Sequence, residues 1–128
     1  MAGQLIHLDT NILILSAELG NPVRQKLRQW RDEGAALAVS AMAWAEFRCG
    51  PVTPNLIKTW EVILSEGIVP VDRKAADLAA ELFNLSGRRS RSLPDCLIAA
   101  CAIQSRARLD TLNGSDFEPL LAHGLILA

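Results

Sequence analysis

Much common chemistry has no foothold in this chain of 128 residues. The only histidines, His7 and His123, have no acid or base motif around them, which argues against histidine-based ribonuclease chemistry. Three cysteines, Cys49, Cys96 and Cys101, form an odd set without CxxC spacing or nearby histidines. A zinc site or disulfide framework is therefore not expected, and reduced thiols in a cytoplasmic protein are the economical reading. No GxxxxGK[ST] stretch occurs, so P-loop phosphate binding is excluded. The apolar stretches are short and interrupted, which leaves no membrane span, and the first residues lack the pattern of a secretory signal. Repeats and low-complexity tracts are also missing. Formal net charge is only −1, so any nucleic-acid binding must use a local basic patch.

What is present is a hydrophobic half of the sequence with 21% charged residues. That composition and length predict one compact domain over residues 1–128 with a single core. Gln4 to Leu8 read as a strand and Ile12 to Leu19 as a buried helix. Asn21-Pro22 starts a second helix, with Asn as N-cap and Pro at the first helical position. Residues 36–40 (ALAVS) fit a buried strand, and the following helix AMAWAEFRC stops at Gly50-Pro51. Thr53-Pro54 caps a helix whose apolar stripe includes Trp60, a side chain suited to either the core or a dimer surface. GIVPV predicts a strand, and Asp72 caps an alanine-rich helix that ends near Gly87. A helix from Pro94 to about Arg106, a strand ARLDT, a short helix from Ser115 and a final strand GLILA complete the chain. Strands alternating with helices imply an α/β fold with a parallel sheet covered on both faces.

Four acids stand where the strands of such a sheet end, the usual ligand-binding end of open α/β sheets. Asp9 follows the first strand directly, and Asp116 follows ARLDTLNGS. Glu46 lies one or two turns into the helix after the second strand, and Asp95 in the first turn of its own helix. Simpler roles exist: Asp9 as a helix cap, Asp95 for the helix dipole, and a Ser115–Glu118 capping box beside Asp116. Glu46 has no basic neighbour three or four positions away, and Asp95 heads an otherwise uncharged segment, CLIAACAI. Clustered carboxylates persist when spread apart, protonated or neutralised, and oxygen-only ligands favour hard cations such as Mg²⁺ or Mn²⁺. Metal-assisted phosphodiester hydrolysis is the matching chemistry. Arg88, Arg89 and Arg91, the densest positive charge in the chain, are candidates for holding a phosphate backbone, with a solvated loop as the equal alternative.

With these motifs in order, the sequence resembles the PIN-domain ribonucleases, and most of all the VapC-type toxins of toxin–antitoxin pairs. HLDTNILI resembles the family's opening motif, SAMAWAEFRCG its glutamate helix, PDCLIAACAI its central aspartate helix, and DTLNGSDFEPL its final segment. The resemblance implies a three-layer α/β/α domain with a central, mostly parallel sheet. It assigns metal-binding and catalytic roles to Asp9, Glu46, Asp95 and Asp116, with Thr10, Asn11, Ser40, Thr111 and Asn113 as supporting polar groups. It further implies Mg²⁺- or Mn²⁺-dependent RNA cleavage, a homodimer and inhibition by a VapB-type antitoxin. Two positions depart from the family's pattern: Leu112 where a basic residue is common, and Asp110 where an apolar strand residue is usual. A non-toxin nuclease and a catalytically silent interaction module are the alternatives on the same fold. A receiver- or dehalogenase-like phosphoryl-transfer domain fits poorly, because LDTN has one acid and the last lysine is Lys74.

Overall fold

The computed structural model describes residues 3–88 and 92–128. The chain runs β1 (Leu5–Leu8), α1 (Thr10–Leu15), α2 (Pro22–Asp32), β2 (Ala36–Ser40), α3 (Ala41–Arg48) and α4 (Pro54–Ile63). It continues through β3 (Ile68–Val69), α5 (Arg73–Leu85), α6 (Leu93–Gln104), β4 (Arg108–Asp110) and α7 (Gly114–Leu121). The strands form one sheet in the order β3-β2-β1-β4, and every pairing is parallel. Parallel strands need crossovers, and the helices that supply them cover both faces of the sheet in three α/β/α layers.

Local sequence accounts for most element boundaries. Asn21 and Thr53 cap α2 and α4 through their side chains, each followed by proline. Asp72 accepts from the Ala75 N–H at the start of α5, 2.8 Å away. Three expectations change. The first helix ends at Leu15 rather than Leu19, because Ser16 closes it and the chain turns through Gly20 at positive φ. The final strand GLILA reduces to a single parallel bridge between Leu127 and Leu109. Finally, α7 begins at Gly114 after Asn113 with no side-chain cap, so the Ser115–Glu118 capping box does not form.

The core joins β1, β2 and β4 to both helical layers, with Ile6, Leu8, Ile12, Phe47, Ile98 and Phe117 fully enclosed. Trp60 belongs to this core and not to a surface; its indole Nε1 donates to the Leu13 carbonyl at 3.3 Å, which ties α4 to α1. In α6, Cys96 and Ile98 to Ala102 are buried, as the uncharged segment implied. Among the described residues, no helix is long and apolar enough to cross a membrane.

One core residue is out of keeping with the rest. His7, in the central strand, is fully buried and neither ring nitrogen has a hydrogen-bond partner. Burial lowers its pKa from 6.5 to about 4. The unfolded chain therefore binds a proton here before the folded chain does. The stability that depends on neutral His7 is complete above pH 6.5 and is lost as pH falls toward 4. From this group alone, wild type is expected to be roughly 2 kcal/mol less stable at pH 5 than at pH 7. His7→Leu should remove that dependence and add about 1–3 kcal/mol at pH 7 by deleting two orphaned polar atoms. Urea unfolding of both proteins at the two pH values measures this; equal pH slopes would contradict it.

Candidate active site

The site is built at the carboxyl end of β1. β1 lies between β2 and β4, so its last residue emerges among its neighbours' ends and not at a sheet edge. Asp9 is the next residue and is only 5% exposed. Its backbone N–H donates to the Asp110 carbonyl at 2.9 Å, continuing the ladder one step past the strand. As N-cap of α1, Asp9 accepts the Thr10 N–H on Oδ1 at 2.8 Å. The cap role read from sequence is real, and it engages one carboxylate oxygen only. The other, Oδ2, accepts the Thr111 hydroxyl at 2.7 Å.

Thr10 reaches a second acid. Its Oγ1 donates to Glu46 Oε1 at 2.9 Å, so one residue orients Asp9 through its backbone and Glu46 through its side chain. Glu46 stands half-buried on α3, which packs against α1. Ser40 is not part of this hydrogen-bonded group. It is buried at the end of β2 and caps α3, accepting the Ala43 N–H at 3.1 Å. That cap fixes where the Glu46 helix begins.

Asp95 and Asp116 enter from the other helices. α6 leads into β4 through a short turn, so it runs antiparallel to the strands and its first turn, with Asp95, lies at their carboxyl ends. α6 packs against both α3 and α7, the helices of Glu46 and Asp116. Asp95 is half-buried, whereas Asp116, in the first turn of α7, is exposed. Thr111 links α7 to the site by accepting the Asn113 N–H at 3.0 Å while donating to Asp9. Asn113 caps α7 through its backbone position, and Asn11 is half-buried in the first turn of α1.

Electrostatics agree with a crowded acidic site. Burial raises the Asp9 pKa, the Thr111 and Thr10 hydrogen bonds pull it down, and the charges of Asp116 and Asp110 push it up again. Among the described residues, no three histidine, cysteine or acidic side chains are gathered closely enough to enclose a metal ion. Mg²⁺ does not require such a cage, since it commonly binds through one or two carboxylates and keeps its other positions for water and phosphate. The donor set is therefore suited to a hydrated hard cation: oxygen only, with one buried and mutually repelled carboxylate at its centre.

Arg89 and Arg91 lie outside the described residues. Arg88 is exposed and turns back on its own helix, donating to Asn84 Oδ1 at 2.7 Å with its guanidinium 5.8 Å from the Phe83 ring centre. A well-formed hollow lies away from the acids. It is a groove of about 650 Å³ between α2 and α4, with Leu27, Leu56 and Ile63 inside and Arg24, Arg28 and Arg31 along it.

One group beside Asp9 stood out in the sequence only as a departure from the family's pattern, with no role attached to it. Asp110 is a buried carboxylate held by Lys26 and Trp30 of α2. Its only signal was an acid in an apolar strand. Nothing local could have named partners more than 75 positions away.

The Thr111 hydroxyl has a measurable consequence. Thr111→Val deletes a donor to the charged form of Asp9, so the Asp9 pKa should rise above its already raised wild-type value. An NMR titration of the Asp9 carboxyl carbon reads this directly, and an unchanged or lower value would be contrary. Because the folded state raises this pKa, the ionised carboxylate opposes folding at neutral pH. The near-isosteric Asp9→Asn should accordingly raise the thermal midpoint at pH 7.

Residues 6–118 match the PIN domain family. No curated protein matches the sequence significantly. Among solved structures, a chain of VapBC2 from Rickettsia felis, bound to a DNA fragment from its promoter, superimposes with a TM-score of 0.74. It is 22% identical, with 98% of each chain covered. A toxin–antitoxin complex from Klebsiella pneumoniae gives a TM-score of 0.69 at 27% identity, covering 88% of this chain and 89% of that one. FitAcB from Neisseria gonorrhoeae gives 0.71 at 21% identity, with 96% of each chain covered. With the acid-bearing β1 end, the parallel sheet and a family match across most of its length, the chain belongs to the PIN-domain family of nucleases.

Proposed function

We propose that this protein is a metal-dependent endoribonuclease and the toxin of a type II toxin–antitoxin pair. The observation that carries this reading is the Thr10 bridge. A buried Asp9 and a half-buried Glu46 are joined through a single residue, at the ligand-binding end of a parallel sheet. A structural cap needs one carboxylate and no second acid.

Asp9 is the principal ligand for Mg²⁺ or Mn²⁺ in this scheme, with Asp95 and Asp116 completing the acidic rim. Glu46 would bind the ion itself or position a water beside it. The chemistry such an ion supplies is a water acidified toward neutral pKa and a phosphate relieved of part of its charge. The chain's own residues do the rest. Thr111 and Thr10 keep Asp9 ionisable in spite of its burial, and Glu46, fixed by the Thr10 hydroxyl, accepts a proton from the attacking water. Arg88, Arg89 and Arg91 bind the RNA backbone through phosphate contacts, which makes binding salt-sensitive.

The partner is a VapB-type antitoxin, and the α2–α4 groove is its best seat. Its apolar interior and three arginines suit an extended segment that carries both apolar and acidic side chains. In this reading the toxin works as a cytoplasmic homodimer.

Asp9→Asn is the direct test. Outer-shell partners of metal sites already matter by 10–100-fold, so removing a ligand should reduce RNA cleavage by about a hundredfold or more. Growth arrest on induction should vanish with it. Mn²⁺ should raise the thermal midpoint of wild type and leave that of Asp9→Asn unmoved, since only a folded site binds the ion. A folded wild type that cuts no RNA across a broad substrate panel with either ion would overturn the proposal.

A further inference from the structure

Position 110 puts an acid on the last residue of β4, next to the junction where Asp9 sits. The Asp110 side chain is 1% exposed, and both of its carboxylate oxygens are engaged by α2. Lys26 Nζ donates to Oδ1 at 2.7 Å and Trp30 Nε1 to Oδ2 at 3.2 Å. Lys26 and Trp30 are four residues apart on one helical face, and the ammonium lies 5.8 Å from the Trp30 ring centre. Stability alone is a poor reason for this arrangement. Desolvating the carboxylate offsets much of its attraction to Lys26, whose side chain stays 41% exposed, and well-packed apolar residues commonly hold such a buried place as well or better.

The geometry gives a better reason. Two of the hydrogen bonds that hold Asp9 are made with residues 110 and 111. The Asp110 carbonyl accepts the Asp9 N–H, and the Thr111 hydroxyl donates to Asp9 Oδ2. Successive side chains of an extended strand point to opposite faces. Asp110 points into the α2 layer, so Thr111 points the other way, toward Asp9. Anchoring Asp110 from α2 therefore stops the end of β4 from rotating about its own axis, the motion that would swing Thr111 off Asp9.

We infer that Asp110, clamped by Lys26 and Trp30, is a positioning residue that sets the direction of the Asp9 carboxylate. This rests on the reading of Asp9 as a metal-binding acid of the nuclease site. It makes α2 a supporting arm of that site, although α2 carries none of the four acids.

The test compares wild type, Asp110→Asn, Trp30→Phe and the triple variant Lys26→Met/Trp30→Phe/Asp110→Leu. Steady-state cleavage of a short RNA at saturating Mn²⁺ gives kcat and KM. Amide hydrogen exchange at Asp9, followed by NMR without metal or RNA, reads the clamp independently of activity. Small misplacements of reacting groups are expensive in rate, so Asp110→Asn should lower kcat by about tenfold or more with KM within about twofold. Its Asp9 amide should exchange faster while the His7 amide in β1 does not. Trp30→Phe, which keeps the ion pair, should show the same pattern to a smaller degree. The triple variant refills the space with apolar groups and should recover its thermal midpoint while kcat stays low. Recovery of kcat together with the midpoint would overturn the inference and leave a purely structural clamp. If Asp110→Asn does not fold, Trp30→Phe decides: unchanged Asp9 exchange and unchanged kcat refute positioning. A wild type without ribonuclease activity would sink the nuclease reading instead, and the exchange contrast would still show whether the clamp holds Asp9.

Discussion

Everything in this structure follows from the central place of β1. It has parallel partners on both sides, β2 and β4, and helices over both faces. A residue leaving the end of such a strand is hemmed in by its neighbours. Asp9 is that residue, and it emerges beside Thr111 at the end of one neighbouring strand and close to the helix that starts from the other. Three separate stretches of chain thus meet through the pairing of one four-residue strand.

The same centrality makes polar groups on β1 costly. His7 is enclosed without a partner for either nitrogen, and Asp9 is an acid whose ionisation is opposed by burial. Two threonines offset part of the second penalty: Thr111 donates its hydroxyl and Thr10 its backbone N–H to Asp9. For His7 the structure offers no such compensation. Strain of this kind collects near sites where function overrides stability. His7 lies two residues from Asp9 in the strand that presents it.

α2 serves two neighbourhoods. Lys26 and Trp30 reach inward to Asp110 at the tip of β4, while Arg24, Leu27, Arg28 and Arg31 line the groove against α4. A segment lying in that groove would bear on the helix that braces the acidic site. The groove and the neighbourhood of the site share α2, although no acid of the site lines the groove.

Legibility in the sequence followed the range of the interactions. Caps at Asn21, Thr53 and Asp72 and the buried strand 36–40 were readable because their signals lie within a few residues of the feature. GLILA and the Ser115–Glu118 pair misled because strand pairing and helix onset depend on neighbours outside the window. The four acids could be placed at the strand ends from topology alone. Sequence by itself determined the α/β alternation and the family, since these rest on periodicity, capping and motif order. Only the tertiary structure decided which groups touch: Thr10 joining Asp9 to Glu46, Thr111 steadying Asp9, and Lys26 and Trp30 enclosing Asp110. Those contacts span about 36 to 102 positions, and short-range pattern carries no information about which distant side chain a fold will bring within hydrogen-bond reach.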